Sequence, residues 1–225
     1  MEAPAFLHAV LPNIPPYVSY SWLAMAILIS MALVLRGRLS MVPAGLQNVM
    51  ESVAEFFLTT ARSNIGHDWG DKFFPLIGTI GLYIFTCNIM GLIPGFDSPT
   101  SNINMTASMA VPVFLATHYY GIKVHKFKYI NHFVGPFRSV YAFPAMVFFF
   151  ILETIGHIAR PVTLSVRLFG NMMAKHMILI ILAMLVPAIV PVPILILGVL
   201  VSVIQAYVFI LLTCLYLAGA VEDAH

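Results

Sequence analysis

A stripe of polar side chains runs along one of the most apolar stretches of this chain. A helix turns by about 100° per residue, and one helix face about 80° wide therefore carries six of these side chains. The six are Glu153, His157, Arg160, Arg167, Asn171 and Lys175. They extend over about 33 Å, and a seventh polar residue, His176, lies well off their face. Carboxylates and imidazoles exchange protons near neutral pH when their surroundings tune them, so the stripe predicts a path for protons.

Arg167 is the member of the stripe that cannot exchange protons, because an arginine stays charged at any physiological pH. No Asp or Glu lies within ten residues of it on either side. A charge at membrane depth costs at least about 2.5–3.5 kcal/mol, and such a residue marks a functional site by default. Between two water-accessible pockets, Arg167 would repel protons in transit and attract an ionised carboxylate of a partner. It would act as an electrostatic gate.

Each of the other stripe residues also has a structural interpretation. Arg160 can pair with Glu153, or reach the carbonyls that the following proline frees. His157 can be a packing histidine, and Lys175 can extend its ammonium group to the outer interface. Asn171 can form a hydrogen bond between helices.

The last apolar run carries no charge, and Gln205 is among its most buried-looking polar groups. Its amide both donates and accepts hydrogen bonds. If this run folds back antiparallel around residue 190, position 205 faces position 175. Gln205 could then reach Arg167 or Asn171.

The composition places these residues in a membrane. Of 225 residues, 60% are hydrophobic and only 9% are charged, with a mean hydropathy of +0.95, whereas a soluble domain carries about 25% charged residues. We therefore expect a single membrane domain over residues 1–225. Cys87 and Cys214 lie in apolar runs and are expected to be core residues.

The sequence carries none of the patterns that bind nucleotides, metals or reactive substrates. It has no glycine-rich nucleotide loop, no Cys/His metal spacing and no Ser-His-Asp motif. Three further histidines, His118, His125 and His132, are not expected to be metal ligands. Neither a cofactor nor a nucleic acid partner is predicted.

The apolar runs are long enough for several membrane spans, each of which needs about 20 residues. The chain is predicted to be all-α, with five membrane-embedded helices and one amphipathic helix that lies in the interface or packs under the spans. The predicted spans are 17–35, 73–93, 105–122, 140–185 and 194–221, and the amphipathic helix is 40–64. The fourth would measure about 69 Å as one helix, against about 30 Å of hydrocarbon. It is either two spans with a tight connection or one long, strongly tilted helix.

The positions of the basic residues favour the single helix. Short loops rich in Lys and Arg lie on the cytoplasmic side of a membrane. The basic residues form two groups, Arg36, Arg38, Arg62 and Lys72, and then Lys123, Lys126, Lys128 and Arg138. Two spans separate the groups, so they share one side, and the loops 95–104 and 187–193, which contain no Lys or Arg, both lie on the other side only if 140–185 crosses once. We therefore expect a long hairpin of the last two helices, an N-terminus outside and a C-terminus in the cytoplasm.

This orientation places Glu153 and His157 toward the inside, Lys175 and His176 toward the outside, and Arg167 between them.

A self-contained transporter or channel is the competing hypothesis, and it predicts conduction by the purified chain alone. The sequence shows no internal repeat of the transporter kind, which counts against it. A purely structural anchor is disfavoured because anchors rarely tolerate the cost of buried charges.

The residues around Arg167 resemble the signature of subunit a of F-type ATP synthases. The run is Arg160-Pro161-Val162-Thr163-Leu164-Ser165-Val166-Arg167-Leu168-Phe169-Gly170-Asn171-Met172. Segments 205–209 and 212–217 are similar to the C-terminal helix of that family, and segment 88–94 is similar to the end of its second span. The resemblance covers essentially the whole chain.

The resemblance implies a non-catalytic stator subunit beside a rotating ring of c subunits, each with one ionisable carboxylate. Two aqueous half-channels would reach the ring from opposite sides, and Arg167 would separate them. Gln205 would lie beside that arginine, His176 in the outer half-channel and Glu153 on the inner path, and Asn171 matches the asparagine of the motif. The implied partners are the c ring, the b-subunit peripheral stalk, the rest of the synthase and the lipid of a bacterial inner membrane.

Two features depart from the family pattern. Lys175 occupies a position that is commonly glycine, and a second cation there would alter the outer pocket. Relatives with histidine at the position of His176 often carry an acid on the last helix, which is missing near Gly198. Asn88 or Asp97, with water, could then supply the proton to His176.

Overall fold

The computed structural model describes residues 13–37, 40, 45–93, 96–126, 143–185 and 191–221. Within these ranges all regular structure is helical, which confirms the all-α prediction. The α-helices are α1 (Pro16–Arg36), α2 (Leu46–Ile65), α3 (His67–Met90), α4 (Ile103–His125), α5 (Phe143–Leu185) and α6 (Pro191–Val221), and a 3-10 turn covers Pro99–Ser101. Predictions that concern Arg38, Lys128, His132, Arg138 and Pro187 lie outside the described ranges.

Four of these helices, α1, α3, α5 and α6, are long and apolar enough to cross a membrane. The predicted span 105–122 forms a helix, α4, which continues through Pro112. It is not among the four, since polar residues such as Thr117 and His118 interrupt its apolar sequence. The predicted number of five membrane-embedded helices therefore stays a prediction.

The helices that contain residues 46–65 and 67–90 begin several residues away from their predicted starts. The amphipathic helix begins at Leu46 and not at Ser40, because Ser40 lies outside the helix, where its backbone N–H donates to Oε1 of Gln47 at 3.2 Å. The second span begins at His67 and not at Phe73. Gly66 alone separates it from α2, with a φ of 92° that glycine adopts without strain.

The long apolar segment before residue 186 is one continuous helix of 43 residues, α5. This confirms the single helix over two spans with a tight connection. At 1.5 Å per residue α5 measures about 64 Å. The last helix begins at Pro191, three residues before the predicted start, since the first turn of a helix tolerates proline residues that cannot donate a hydrogen bond.

The helices pack through three hydrophobic clusters. The first joins α2, α3 and α6, and it contains Phe57, Ala61, Phe73, Ile77, Ile210, Cys214, Leu217 and Val221. The second joins α3, α4, α5 and α6, and it contains Ile84, Met109, Ala110, Val113, Leu164, Leu168, Met172, Ala206 and Phe209. The third joins α1 and α3 through Tyr20, Ala24, Cys87 and Met90. Both cysteines are fully buried, which confirms their prediction as core residues.

Basic residues from separate helices meet at one end of the bundle. Lys72 lies 4.3 Å from the ring of Trp69, and Lys123 lies 5.8 Å from the ring of Tyr120. The two rings are themselves 6.0 Å apart, so the start of α3 and the end of α4 share this end. Val221, the last residue of α6, packs in the cluster of the same region. We refer to this end of the molecule as the basic end.

An ion pair ties α2 to α3 at the basic end. Nε of Arg62 donates to Oδ1 of Asp71 at 2.7 Å, and Nη2 donates to Oδ2 at 3.1 Å. The hydrogen bond to the carboxylate raises the pKa of the Arg62 guanidinium above its usual value. Both side chains are exposed, so the pair contributes little to stability.

Candidate ion-translocation site

Arg167 lies on the exposed side of α5. The most deeply packed side chains of this helix lie along one line on its surface, and they are Leu164, Leu168 and Met172, each with 2% exposure or less. Arg167 precedes Leu168 by one residue and is therefore rotated by about 100° from that line. Among the described residues the guanidinium takes part in no ion pair.

Many of the exposed side chains on α5 and α6 are apolar. Large hydrophobic side chains with at least 36% exposure occur on both sides of Arg167 along α5, and also on α6. They include Val162, Val166, Met173, Met177, Val203, Ile204 and Tyr207. A fixed charge on an apolar face is costly at membrane depth, and such a residue marks a functional site by default.

Asn171 and Gln205 join the two long helices one turn beyond Arg167. Nδ2 of Asn171 donates to Oε1 of Gln205 at 2.7 Å. Asn171 is exposed and Gln205 is buried, so the bond runs from the apolar face into the bundle. The sequence placed Gln205 within reach of Arg167 or Asn171, and the contact in the structure is with Asn171.

A cluster of charged and titratable groups lies on α5 toward the basic end. Nε2 of His157 is 3.3 Å from Oε1 of Glu153, and Nη2 of Arg160 is 3.6 Å from the same oxygen. The pairing of Arg160 with Glu153 is one of the two structural interpretations that the sequence allowed. Arg160 also lies 5.5 Å from the ring of Tyr216 on α6. We refer to Glu153, His157 and Arg160 as the Glu153 cluster.

His118 joins this cluster from α4, although the sequence pointed to no role for it. Its ring is 5.2 Å from the ring of His157, in an edge-to-face arrangement. Nδ1 of His118 is 3.0 Å from the carbonyl oxygen of Phe114. The signal that could have revealed it is the polar pair Thr117-His118 within an apolar helix, since polar residues there tend to face the bundle interior.

Lys175 is buried on the other side of Arg167, with 8% exposure. Its Nζ is 3.4 Å from the carbonyl oxygen of Asn88 on α3 and 3.5 Å from Oγ of Ser202 on α6. The interpretation that Lys175 extends to the outer interface is therefore wrong. Gly198 leaves room for the Lys175 side chain to extend into the bundle, because a Cβ at residue 198 would lie 3.3 Å from Cδ of Lys175.

Asn88 anchors a buried polar network around the 3-10 turn. Oγ1 of Thr100 donates to Oδ1 of Asn88 at 2.7 Å, and Oγ of Ser98 is 2.7 Å from Oγ1 of Thr100. Nδ2 of Asn88 is buried without a hydrogen-bond partner among the described residues. We refer to Lys175, Asn88 and Thr100 as the Lys175 cluster.

His176 is half-buried, and no hydrogen bond or ion pair joins it to another residue of the described ranges. The expected link from His176 to Asn88 or Asp97 is therefore not a direct contact in this structure. The buried side chain that reaches Asn88 is instead that of its neighbour Lys175.

The residues of the stripe predicted on α5 differ in how exposed their side chains are. His157 and Lys175 are buried, whereas Arg167 and Asn171 are exposed. The stripe therefore follows the edge between the packed face and the outer face of the helix. At 1.5 Å per residue, Arg167 lies about 21 Å from Glu153 and about 12 Å from Lys175 along the helix.

These features define a class of protein, an all-helical polytopic membrane protein with two polar clusters on either side of an exposed fixed cation. The family model described as ATP synthase A chain matches residues 18–218. The chain therefore belongs to the ATP synthase A chain family, and the resemblance drawn from the Arg167 motif is confirmed.

Named relatives agree with this assignment over nearly the whole chain. The chain is 47% identical over 208 residues to ATP synthase subunit a 3 of Pelobacter propionicus, covering 92% of this chain and 88% of the relative. It is 44% identical over 208 residues to ATP synthase subunit a of Trichlorobacter lovleyi and to that of Geobacter sulfurreducens, with the same coverage in both comparisons.

Proposed function

We propose that this chain is the non-catalytic, proton-translocating stator subunit of the membrane sector of a bacterial ATP synthase. Residues 1–225 form one domain in the inner membrane. In this proposal α4 joins α1, α3, α5 and α6 as a fifth membrane-embedded helix, and α2 lies at the interface. The basic end faces the cytoplasm, which leaves the N-terminus outside.

The observation that carries the proposal is the position of Arg167. It is an exposed cation on an apolar face, without an ion pair among the residues described. The missing counter-charge is a carboxylate of the c ring, which arrives by rotation and leaves when it is protonated. An arginine suits this role because its charge cannot be neutralised by the protons that it keeps apart.

The two polar clusters are the ends of two half-channels. The Lys175 cluster and His176 receive protons from outside and pass them to a ring carboxylate. The neutral carboxylic acid can then move into the lipid, since the cost of a charge there is removed. After rotation the carboxylic acid releases its proton toward the cytoplasm past the Glu153 cluster and becomes a carboxylate again. Arg167 blocks the direct route between the clusters.

The length of α5 fits a helix that lies across the side of a ring. An upright span needs about 30 Å of helix, whereas α5 measures about 64 Å. The helix is therefore strongly tilted, and it offers its apolar face with Arg167 to several ring helices in turn. The b-subunit stalk and the rest of the synthase hold this subunit still while the ring rotates.

The test is Arg167→Lys in the assembled synthase. We expect loss of ATP-driven proton pumping in inverted membrane vesicles, while the c ring still co-purifies with the chain. Arg62→Lys, which keeps a charge at an exposed ion pair of the basic end, is the matched control and should pump normally. Normal pumping by Arg167→Lys, or proton conduction by the purified chain alone in liposomes, would overturn the proposal.

A further inference from the structure

Two lysine side chains at the basic end lie over aromatic rings that contact each other. Nζ of Lys72 on α3 is 4.3 Å from the ring centroid of Trp69, and Nζ of Lys123 on α4 is 5.8 Å from that of Tyr120. The centroids of Trp69 and Tyr120 are 6.0 Å apart, in an edge-to-face arrangement. Both lysines are exposed. Two ammonium groups from different helices therefore lie beside the same pair of rings at the surface.

The positive charge of these lysines is not balanced by the acids near them in sequence. Neither Lys72 nor Lys123 takes part in an ion pair among the described residues. Asp71, beside Lys72 in sequence, is already paired with Arg62. Asp68 is exposed one turn before Lys72, and one carboxylate does not balance two ammonium groups. A ligand that this pair of lysines attracts should therefore be an anion.

An exposed apolar stripe on α4 leads away from the lysines. Its four side chains recur at helical spacing and are Val111, Leu115, Tyr119 and Ile122. Tyr119 connects the stripe to the lysine pair, because its ring lies 5.9 Å from Nζ of Lys123 and 5.2 Å from the ring of Tyr120. From its first to its last residue the stripe is about 17 Å long. This is about half of the 30 Å hydrocarbon core, which is the depth of one leaflet.

We propose that this face of α4 binds one anionic phospholipid of the cytoplasmic leaflet, with the phosphate group at Lys72 and Lys123 and an acyl chain along the apolar stripe. The proposal rests on the proposed function for the orientation of the basic end and for the position of α4 in the membrane. The cytoplasmic leaflet is rich in anionic lipid, and each basic residue near its surface strengthens binding about fivefold. Trp and Tyr rings favour the level of the headgroups, where Trp69 and Tyr120 would then lie.

A phospholipid fits this surface better than a membrane-spanning helix of a partner protein. A phospholipid carries its charge at one end and an apolar chain of one leaflet's depth at the other, and the surface has the same division. A spanning helix would need an apolar contact face over the whole hydrocarbon core. Beyond Val111 the exposed positions on this side of α4 are Ser108 and Asn104, which are polar. The apolar stripe therefore ends where one acyl chain would end.

The experiment is photolabelling of the assembled synthase in vesicles. The probe is phosphatidylglycerol with a photoreactive group in its acyl chain, and the labelled residues are located by mass spectrometry of peptides. We expect labelling of α4 between Val111 and Ile122, several-fold above that by phosphatidylcholine with the same chain, which carries no net charge. Lys72→Gln and Lys123→Gln should each lower the labelling by phosphatidylglycerol about fivefold, and the double variant should lower it further.

Lys126→Gln is the matched control, since it removes one lysine charge from the residue that directly follows α4. It should lower the labelling much less than Lys123→Gln. The double variant Lys72→Arg with Lys123→Arg keeps both charges and should be labelled normally. ATP-driven pumping should stay normal in all these variants, which shows that they fold and assemble. High salt screens exposed charges, so in the unaltered synthase it should bring labelling by phosphatidylglycerol toward that by phosphatidylcholine.

Three outcomes would overturn the lipid site. The first is equal labelling of α4 by the two lipids, and the second is labelling that Lys72→Gln and Lys123→Gln leave unchanged. The third is labelling that appears only after the b subunits have been removed, because a protein then covers this face in the assembled synthase. None of these outcomes touches the proposed function, which is tested separately by the pumping of Arg167→Lys.

Discussion

Asn171 and Gln205 are joined by a hydrogen bond of 2.7 Å that fixes the register of α5 against α6. Lys175 reaches Ser202 in the same register. Arg167 lies one turn from this bond, so in the proposed function the bond would set the position along α5 at which the arginine meets a carboxylate of the c ring.

Breaking this bond should impair coupling more than stability. Asn171→Leu and Gln205→Leu each remove one partner, and interhelical hydrogen bonds in membranes contribute only about 0.6–2 kcal/mol. We expect the synthase to assemble in both variants while ATP-driven pumping falls several-fold. The double variant should be no worse than the worse single variant, because both changes remove one interaction. Full additivity of the two losses in pumping would show that the residues act separately.

The sequence predicted most of this arrangement because its signals are local. The Arg167 motif, the apolar runs and the basic loops each need only neighbouring residues, and they led to the correct helix α5 and to the Gln205 contact. The burial of Lys175, and the choice between the two interpretations of His157, could not be predicted in the same way. Both depend on which side of α5 packs against α4 and α6. A periodic pattern in the sequence shows which residues share one face of a helix, but it does not show which helices pack against that face.

The other omissions have similar physical causes. The contact between Lys175 and Asn88 joins residues 87 positions apart, and it exists because Gly198 leaves room for the lysine. His118 meets His157 only because α4 and α5 run side by side. The early start of α3 follows from one residue, Gly66, whose positive φ lets a new helix begin at once.

Lys175 should be dispensable for folding and important for transport. Its hydrogen bonds, at 3.4 and 3.5 Å, are long and compensate poorly for burying a charge. Lys175→Met keeps the aliphatic volume and removes the ammonium group, so we expect an equal or higher melting temperature of the purified complex. ATP-driven pumping should fall several-fold if the ammonium group belongs to the outer path.

Lys72→Met is the matched control for Lys175→Met. Lys72 is exposed and packs over the ring of Trp69 at the basic end, and it belongs to neither cluster. Neither the melting temperature nor pumping should change appreciably. Unaltered pumping by Lys175→Met would remove Lys175 from the proton path and leave His176 as the outer residue.

Thr100 should stabilise the Lys175 cluster through its hydroxyl group. Thr100→Val keeps the shape of the side chain but leaves Oδ1 of Asn88 without its donor at a fully buried position. Leaving such a buried group unsatisfied costs about 1–3 kcal/mol, so the melting temperature should fall. In the control, Thr79→Val, an exposed threonine loses only a bond to the backbone of its own helix, and stability should hardly change. Equal effects of the two variants would contradict a special role for the network.

Gly70 and Gly219 should respond in opposite directions to replacement by alanine. A Cβ at Gly70 would lie 3.0 Å from both the backbone N and Cα of Arg62, and 3.2 Å from the backbone C of Ala61. Backbone atoms cannot give way as a flexible side chain can, so the α2–α3 hairpin must open at a cost of about 1–3 kcal/mol.

At Gly219 a Cβ would meet nothing within 4 Å. There alanine should add up to about 1 kcal/mol, because glycine is the poorer helix former. Thermal unfolding of the purified complex should show a lower melting temperature for Gly70→Ala and an equal or higher one for Gly219→Ala. A gain in both variants would mean that α2 and α3 are less closely packed than the Gly70 contact requires, and that the single residue Gly66 does not hold the two helices together.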